Sequence, residues 1–151
     1  MEIKKILFPT DFSEGSSLAL DYAVDMAKRY GAKLYFVHVL YDIAKAAGWY
    51  VPHSSMDEMY KDIEKSAEKE LGRFGLEESR SFKGVERIVL KGVPHTEIVK
   101  FAKDNKIDLI VMGTYGRKGM GRILFGSTAA QVVRFAPCPV LAVRIPMHEE
   151  K

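Results

Sequence analysis

Short runs that are apolar on both faces alternate along this chain with helix-length stretches that are apolar on one side only. The runs are Ile3 to Phe8, Leu34 to Leu40, Val85 to Leu90, Leu109 to Met112 and Val140 to Val143. A strand buried on both faces needs cover on both faces, and parallel sheets obtain it from crossover helices. The reading is therefore α/β: one open parallel sheet with helices on both faces, joined by right-handed crossovers. In such sheets ligands bind beyond the carboxyl ends of the strands, where the strand order reverses.

The helices carry their own punctuation. Ser13 can cap the first by accepting from its free N–H groups, and Gly31 after Lys28-Arg29 ends it. Leu18, Ala19, Tyr22, Ala23, Met26, Ala27 and Tyr30 form its expected apolar stripe. Residues 41–56 read as a loop. A long helix is expected from Met56 to Leu76, with Met56, Met59, Tyr60, Ile63, Ala67, Leu71 and Phe74 toward the core. Lys61, Lys65 and Lys69 alternate with acids and read as a solvated face. Thr96 to Asn105 and Ser127 to Phe135 complete the helices.

A chain of 151 residues suits one domain. The longest apolar runs are too short to span a membrane, and the basic N-terminus lacks the apolar centre of a signal peptide. The lone Cys138, between two prolines, reads as buried and inert and excludes an intrachain disulfide. The expected location is the cytoplasm. Net charge is only +3, yet Leu109 to His148 holds no Asp or Glu and five arginines or lysines. That local field fits an anion. It is too local for nucleic acid, which needs a basic stripe with exposed aromatics.

The field centres on "GTYGRKGMGRILFGST", Gly113 to Thr128, lying between a strand and a helix. Glycine lets backbone N–H groups approach an anion, and a helix N-terminus adds free N–H groups and partial positive charge. Gly126-Ser127-Thr128 stands where the last helix begins. A polyphosphate is the expected ligand, neutralised by Arg117, Lys118 or Arg122. Neither standard phosphate loop is present. Ser127 occupies the lysine position of a Walker motif, and Leu124 breaks G-x-G-x-x-G.

Gly113, Gly116 and Gly126-Ser127 instead satisfy G-x2-G-x9-G-[ST]. This chain thereby resembles the nucleotide-binding universal stress proteins. "ILFPTDFSEGS" (Ile6 to Ser16), "FVHVL" (Phe36 to Leu40) and "APCPVLAVR" (Ala136 to Arg144) are similar to that family's first, second and last strands. The resemblance spans nearly the whole chain. It implies a single Rossmann-like domain over residues 1–146, strand order 3-2-1-4-5, and a tail at 147–151.

It also implies ATP, or AMP, in the crevice, with Mg²⁺ beside the triphosphate. Asp11 and the backbone of Val39 would hold the adenosine end, Pro9, Thr10 and Met112 would form the wall, and Gly113 would lie near the ribose. Gly116, Arg117, Gly126, Ser127 and Thr128 would meet the phosphates. A homodimer through the fifth strand, Val140 to Arg144, is implied too, and that apolar edge lacks central prolines or charges.

His38, inside an apolar strand, reads as a packed histidine, and His53 and His95 have no partner at metal-ligand spacing. No residue stands out as a catalytic base for in-line attack. The expectation is a regulatory nucleotide-binding module with an unidentified protein partner and little or no hydrolysis. The alternative is a slow ATP hydrolase, or an ATP-dependent enzyme on the same fold.

Overall fold

A computed structural model describes residues 1–42, 53–114 and 126–144, with 53–57 described in their backbone only. In chain order the elements are β1 (Lys5–Pro9), α1 (Glu14–Tyr30), β2 (Lys33–Tyr41), α2 (His53–Arg73), β3 (Val85–Gly92), α3 (Pro94–Asp104), β4 (Leu109–Gly113), α4 (Ser127–Phe135) and β5 (Val140–Val143). The five strands form one sheet in the order β3-β2-β1-β4-β5, and every pairing is parallel. The reversal falls between β1 and β4. The chain leaves β1 toward β2 on one side and leaves β4 toward β5 on the other, so their carboxyl ends open into a crevice.

Alternation along the strands divides the core in two. Ile6, Phe8, Leu34, Phe36, Leu109 and Val111 face α1 and Leu71 of α2. Leu7, Tyr35, Val37, Ile110 and Met112 face Ile98 and Ala102 of α3 and Ala129 and Val132 of α4. Phe8 anchors the first layer, edge-on to Phe36 at 5.4 Å between ring centroids and stacked with Phe74 at 6.1 Å.

The expected caps of α1 are present. Ser13, in extended conformation, accepts from the Ser16 N–H, and Gly31 closes the helix at φ +63°. The buried face is rotated from the expected stripe. Ala19, Leu20, Ala23, Val24 and Ala27 are buried, whereas Leu18, Tyr22 and Tyr30 are exposed. Small residues let α1 lie close on the sheet.

The long helix starts at His53, three residues before the expected Met56, and β2 extends to Tyr41. Of the expected loop, 43–52 lies outside the described residues. Ala67 and Leu71 are core, but Met59 and Ile63 are exposed, which corrects the reading of both as core; the Met56 side chain lies outside the described residues. Among the described side chains of α2, the buried ones, Ala67 and Leu71, fall in its C-terminal half. That half is tied down by half-buried Arg87 of β3. Its Nε donates to Leu71 O (3.0 Å), and its Nη2 donates to Phe74 O and to Ser79 Oγ (3.3 Å each). These bonds satisfy carbonyls that the end of α2 leaves open.

β5 is an edge strand, as expected, and its side chains are committed inward. Val143 is buried against the α1 layer and Val140 packs on the α3–α4 layer. The valines therefore serve the chain's own core and do not form an outward patch. Cys138 is half-buried; burial, and then the charge of Asp108, raise its thiol pKa and keep it protonated. Among the described residues no helix is long and apolar enough to cross a membrane.

Candidate functional site

Three described segments meet at the carboxyl ends of β1 and β4: the turn Thr10–Ser13, the pair Gly113–Thr114, and Gly126 with the start of α4. The β1 turn is built from short side chains. Asp11 Oδ1 accepts from the Ser13 N–H, and Thr10 Oγ1 accepts from the Phe12 N–H, both at 3.0 Å. Ser16 Oγ donates to Thr10 Oγ1 at 2.5 Å. Asx and ST turns of this kind replace ladder bonds with local ones. Phe12 sits at φ +65°, a left-handed conformation that costs a non-glycine residue about 1–2 kcal/mol. Its ring lies 4.4 Å from that of His38 and 5.6 Å from that of Phe74, which holds the turn in place.

Gly113 ends β4 directly against the start of α1. A β-carbon placed there would lie 2.7 Å from the Gly15 carbonyl oxygen and 2.8 Å from its carbon. The close approach brings the β1 turn and the end of β4 together. Thr114 then stitches the site: its N–H donates to Val143 O (3.1 Å), and its C=O accepts from the Gly126 N–H (2.6 Å). The Thr114 hydroxyl is fully buried and has no hydrogen-bond partner among the described residues. A buried hydroxyl without a partner costs about 1–3 kcal/mol, a cost that a bound acceptor or donor would offset.

α4 begins at this point. Gly126 is its N-cap and offers no capping side chain. The first intrahelical bond runs from the Ala130 N–H to Gly126 O, so the N–H groups of Ser127, Thr128 and Ala129 have no acceptor within the helix. Ser127 is exposed and Thr128 half-buried, and no acidic residue stands in the first turn. A helix start that no side chain among the described residues caps, with hydroxyls beside it, suits an anion. α1 differs, because Ser13 already caps it.

On the other side of β1, the register ends at Pro9↔Val37, whereas β2 stays paired with β3 as far as Tyr41↔Gly92. The Thr10 N–H donates to Val37 O, and the Leu34 N–H donates to Gly84 O. Odd-numbered residues of β2 thus turn their backbone groups toward β1. Val39 does so beyond the point where β1 has left the sheet.

The structure accordingly gathers Pro9, Thr10, Asp11, Val39, Met112, Gly113, Gly126, Ser127 and Thr128 around the switch point. Pro9, Thr10 and Met112 are buried, and Asp11 and Val39 are half-buried. Gly116 and Arg117 lie outside the described residues, as does most of the glycine segment. Among the described residues no group of three or more His, Cys, Asp or Glu could hold a metal ion. Sequence reasoning missed Thr114 and the ring contacts of His38. A Gly-Thr pair at the end of a buried strand was the available signal for the first, whereas the second depends on Phe12, which is distant in sequence.

An open parallel α/β domain with a crevice at its strand-order reversal, walled by backbone and an uncapped helix start, is a small-ligand-binding architecture. The chain belongs to the universal stress protein family, whose model matches residues 2–144. It is 37% identical to Universal stress protein MJ0531 of Methanocaldococcus jannaschii, over 97% of this chain and 85% of that protein. The solved structure of hypothetical protein MJ0577 is similar at a TM-score of 0.86 and 28% identity, over 98% of this chain and all of that one. The fold is shared with a universal stress protein of Archaeoglobus fulgidus solved in complex with dAMP (TM-score 0.63, 24% identity, 94% and 98% covered).

Proposed function

We propose that this protein binds an adenine nucleotide, ATP foremost, in the crevice between β1 and β4, and that it acts in the cytoplasm as a regulatory module with little or no turnover. The observation that carries the reading is the uncapped start of α4, set at the carboxyl end of β4. The backbone groups there receive phosphate oxygens, and the hydroxyls of Ser127 and Thr128 add donors. Arg117 and Gly116 complete the phosphate contacts. Asp11 and the Val39 backbone hold the adenosine, Pro9, Thr10 and Met112 wall it, and Gly113 borders the ribose. Mg²⁺ enters with the triphosphate, coordinated by phosphate oxygens and water as is usual for this ion. The G-x2-G-x9-G-[ST] spacing and the dAMP complex of a protein with the same fold support the reading.

Ser127→Asp tests it. The carboxylate, in the first turn of α4, complements its dipole, so melting temperature should hold or rise. The same charge repels phosphate, and ATP affinity measured by calorimetry should fall at least about tenfold. Equal affinity in both proteins refutes the phosphate site. Phosphate release should stay far below the rate of about 1 per second at the low end of typical enzymes.

The edge strand β5 supports a homodimer by antiparallel pairing with a second copy. Since Val140 and Val143 face inward, the pairing rests on backbone bonds. Pro139 O and Val143 O accept from β4, so the odd residues of β5 turn their backbone groups to β4 and Ala142 turns its own to the open edge. Ala142→Pro removes that outward donor and is expected to give monomers in sedimentation. Wild-type protein that is monomeric at tens of micromolar would rule out the dimer.

A further inference from the structure

The geometry points to His38 as a positioning residue that holds β1 away from β2 beyond Pro9 and so presents the Val39 backbone to the base. The inference rests on the nucleotide reading above and adds a residue to it. A parallel ladder continued past Pro9↔Val37 would pair the Val39 N–H with Thr10 O and Val39 O with the Phe12 N–H. Both partners are engaged elsewhere. The Phe12 N–H donates to Thr10 Oγ1, and Thr10 O accepts from His38 Nδ1 at 2.8 Å. A carbonyl only accepts, so Nδ1 carries the hydrogen.

His38 projects on the α1–α2 face, opposite to Val39, and reaches round to the Thr10 carbonyl. Its ring also lies against Phe12, whose left-handed backbone turns the chain out of the sheet after Asp11. One side chain thus fixes two consequences: β1 stops pairing, and Asp11 is carried to the mouth of the crevice. The exposed backbone edge of Val39 then has an adjacent donor and acceptor, which match the amino group and ring nitrogen on the Watson–Crick edge of adenine.

Three proteins and two probes decide the matter. His38→Phe keeps a ring against Phe12 and removes the donor; His38→Asn keeps a donor near the Nδ1 position. ATP and inorganic tripolyphosphate, which has no base, are titrated by calorimetry into each. We expect His38→Phe to weaken ATP about tenfold, the loss of one well-placed hydrogen bond. Tripolyphosphate affinity should stay unchanged, and His38→Asn should regain most of the ATP affinity. Unchanged ATP binding by His38→Phe, or equal losses of both probes, overturns the assignment.

Amide exchange in the unliganded proteins separates the pin from the nucleotide reading. Once β1 is free to close on β2, the Val39 amide should exchange at least about tenfold more slowly in His38→Phe, and unchanged exchange also overturns the pin. Wild-type protein that binds neither probe refutes the nucleotide site, whatever the exchange shows.

Discussion

Gly113→Val is expected to yield little soluble, folded protein. The β-carbon alone would meet the Gly15 carbonyl group at 2.7–2.8 Å and the Ser16 N–H nitrogen at 3.2 Å. These are backbone atoms at the start of α1, and no rotamer change moves them aside. Relief requires lifting α1 from β4, which opens the layer where Ala19, Ala23 and Ala27 lie against the sheet. The loss should be about 3 kcal/mol or more, a large share of the roughly 5–15 kcal/mol that holds an ordinary domain together. Urea unfolding of whatever folds provides the measurement. A variant with the wild-type midpoint would show that α1 and β4 can separate at little cost.

Gly126 offers a contrast. At φ −70° and ψ 163° its backbone suits any residue, and Gly126→Ser would add the missing cap. Gly113 and Gly126 therefore have different physical reasons. Gly113 is excluded from having a side chain by a neighbouring turn, and Gly126 brings no capping side chain to the start of α4.

Phe8→Ala should cost about 4 kcal/mol, within the range for deleting a buried phenylalanine. Phe8 is fully buried and contacts both Phe36 and Phe74. Phe74 in turn meets Phe12, and Phe12 meets His38. This row of rings runs from the centre of the sheet to the turn that carries Asp11. For a domain of this size the loss corresponds to a fall in Tm of roughly 8–16 °C. A fall of less than about 3 °C would mean that the neighbouring rings collapse into the cavity.

Most of the architecture was legible before any coordinates. The α4 and β5 boundaries, the Ser13 cap and the Gly31 stop agree with expectation because they depend on local chemistry: a hydroxyl facing free N–H groups, a residue tolerant of positive φ, a run apolar on both faces. Strand order was legible only through family resemblance, since periodicity does not say which strands are neighbours. Legibility failed where a face had to be chosen between nearly equal candidates. Ala19, Ala23 and Ala27 lie in both the expected stripe of α1 and its buried face, but the expected stripe widens to Leu18, Tyr22 and Tyr30 on one flank, whereas the buried face widens to Leu20 and Val24 on the other. Both flanks are apolar, so periodicity alone does not choose between them.

Met59 failed for a similar reason. A stripe at helical spacing continues along the whole of α2, but among its described side chains the buried ones, Ala67 and Leu71, fall in its C-terminal half. The site divides in the same way. Chain chemistry by itself determined that a glycine-rich, acid-free segment leads into a helix start competent to meet an anion. It also determined that β1 ends in a turn-forming Thr-Asp pair. Only the tertiary structure decided that these lie together, that Thr114 is buried with its hydroxyl unpartnered among the described residues, and that His38 reaches Thr10. Each of those facts is a contact between residues far apart in sequence, and such contacts are set by how helices of particular bulk settle on a twisted sheet.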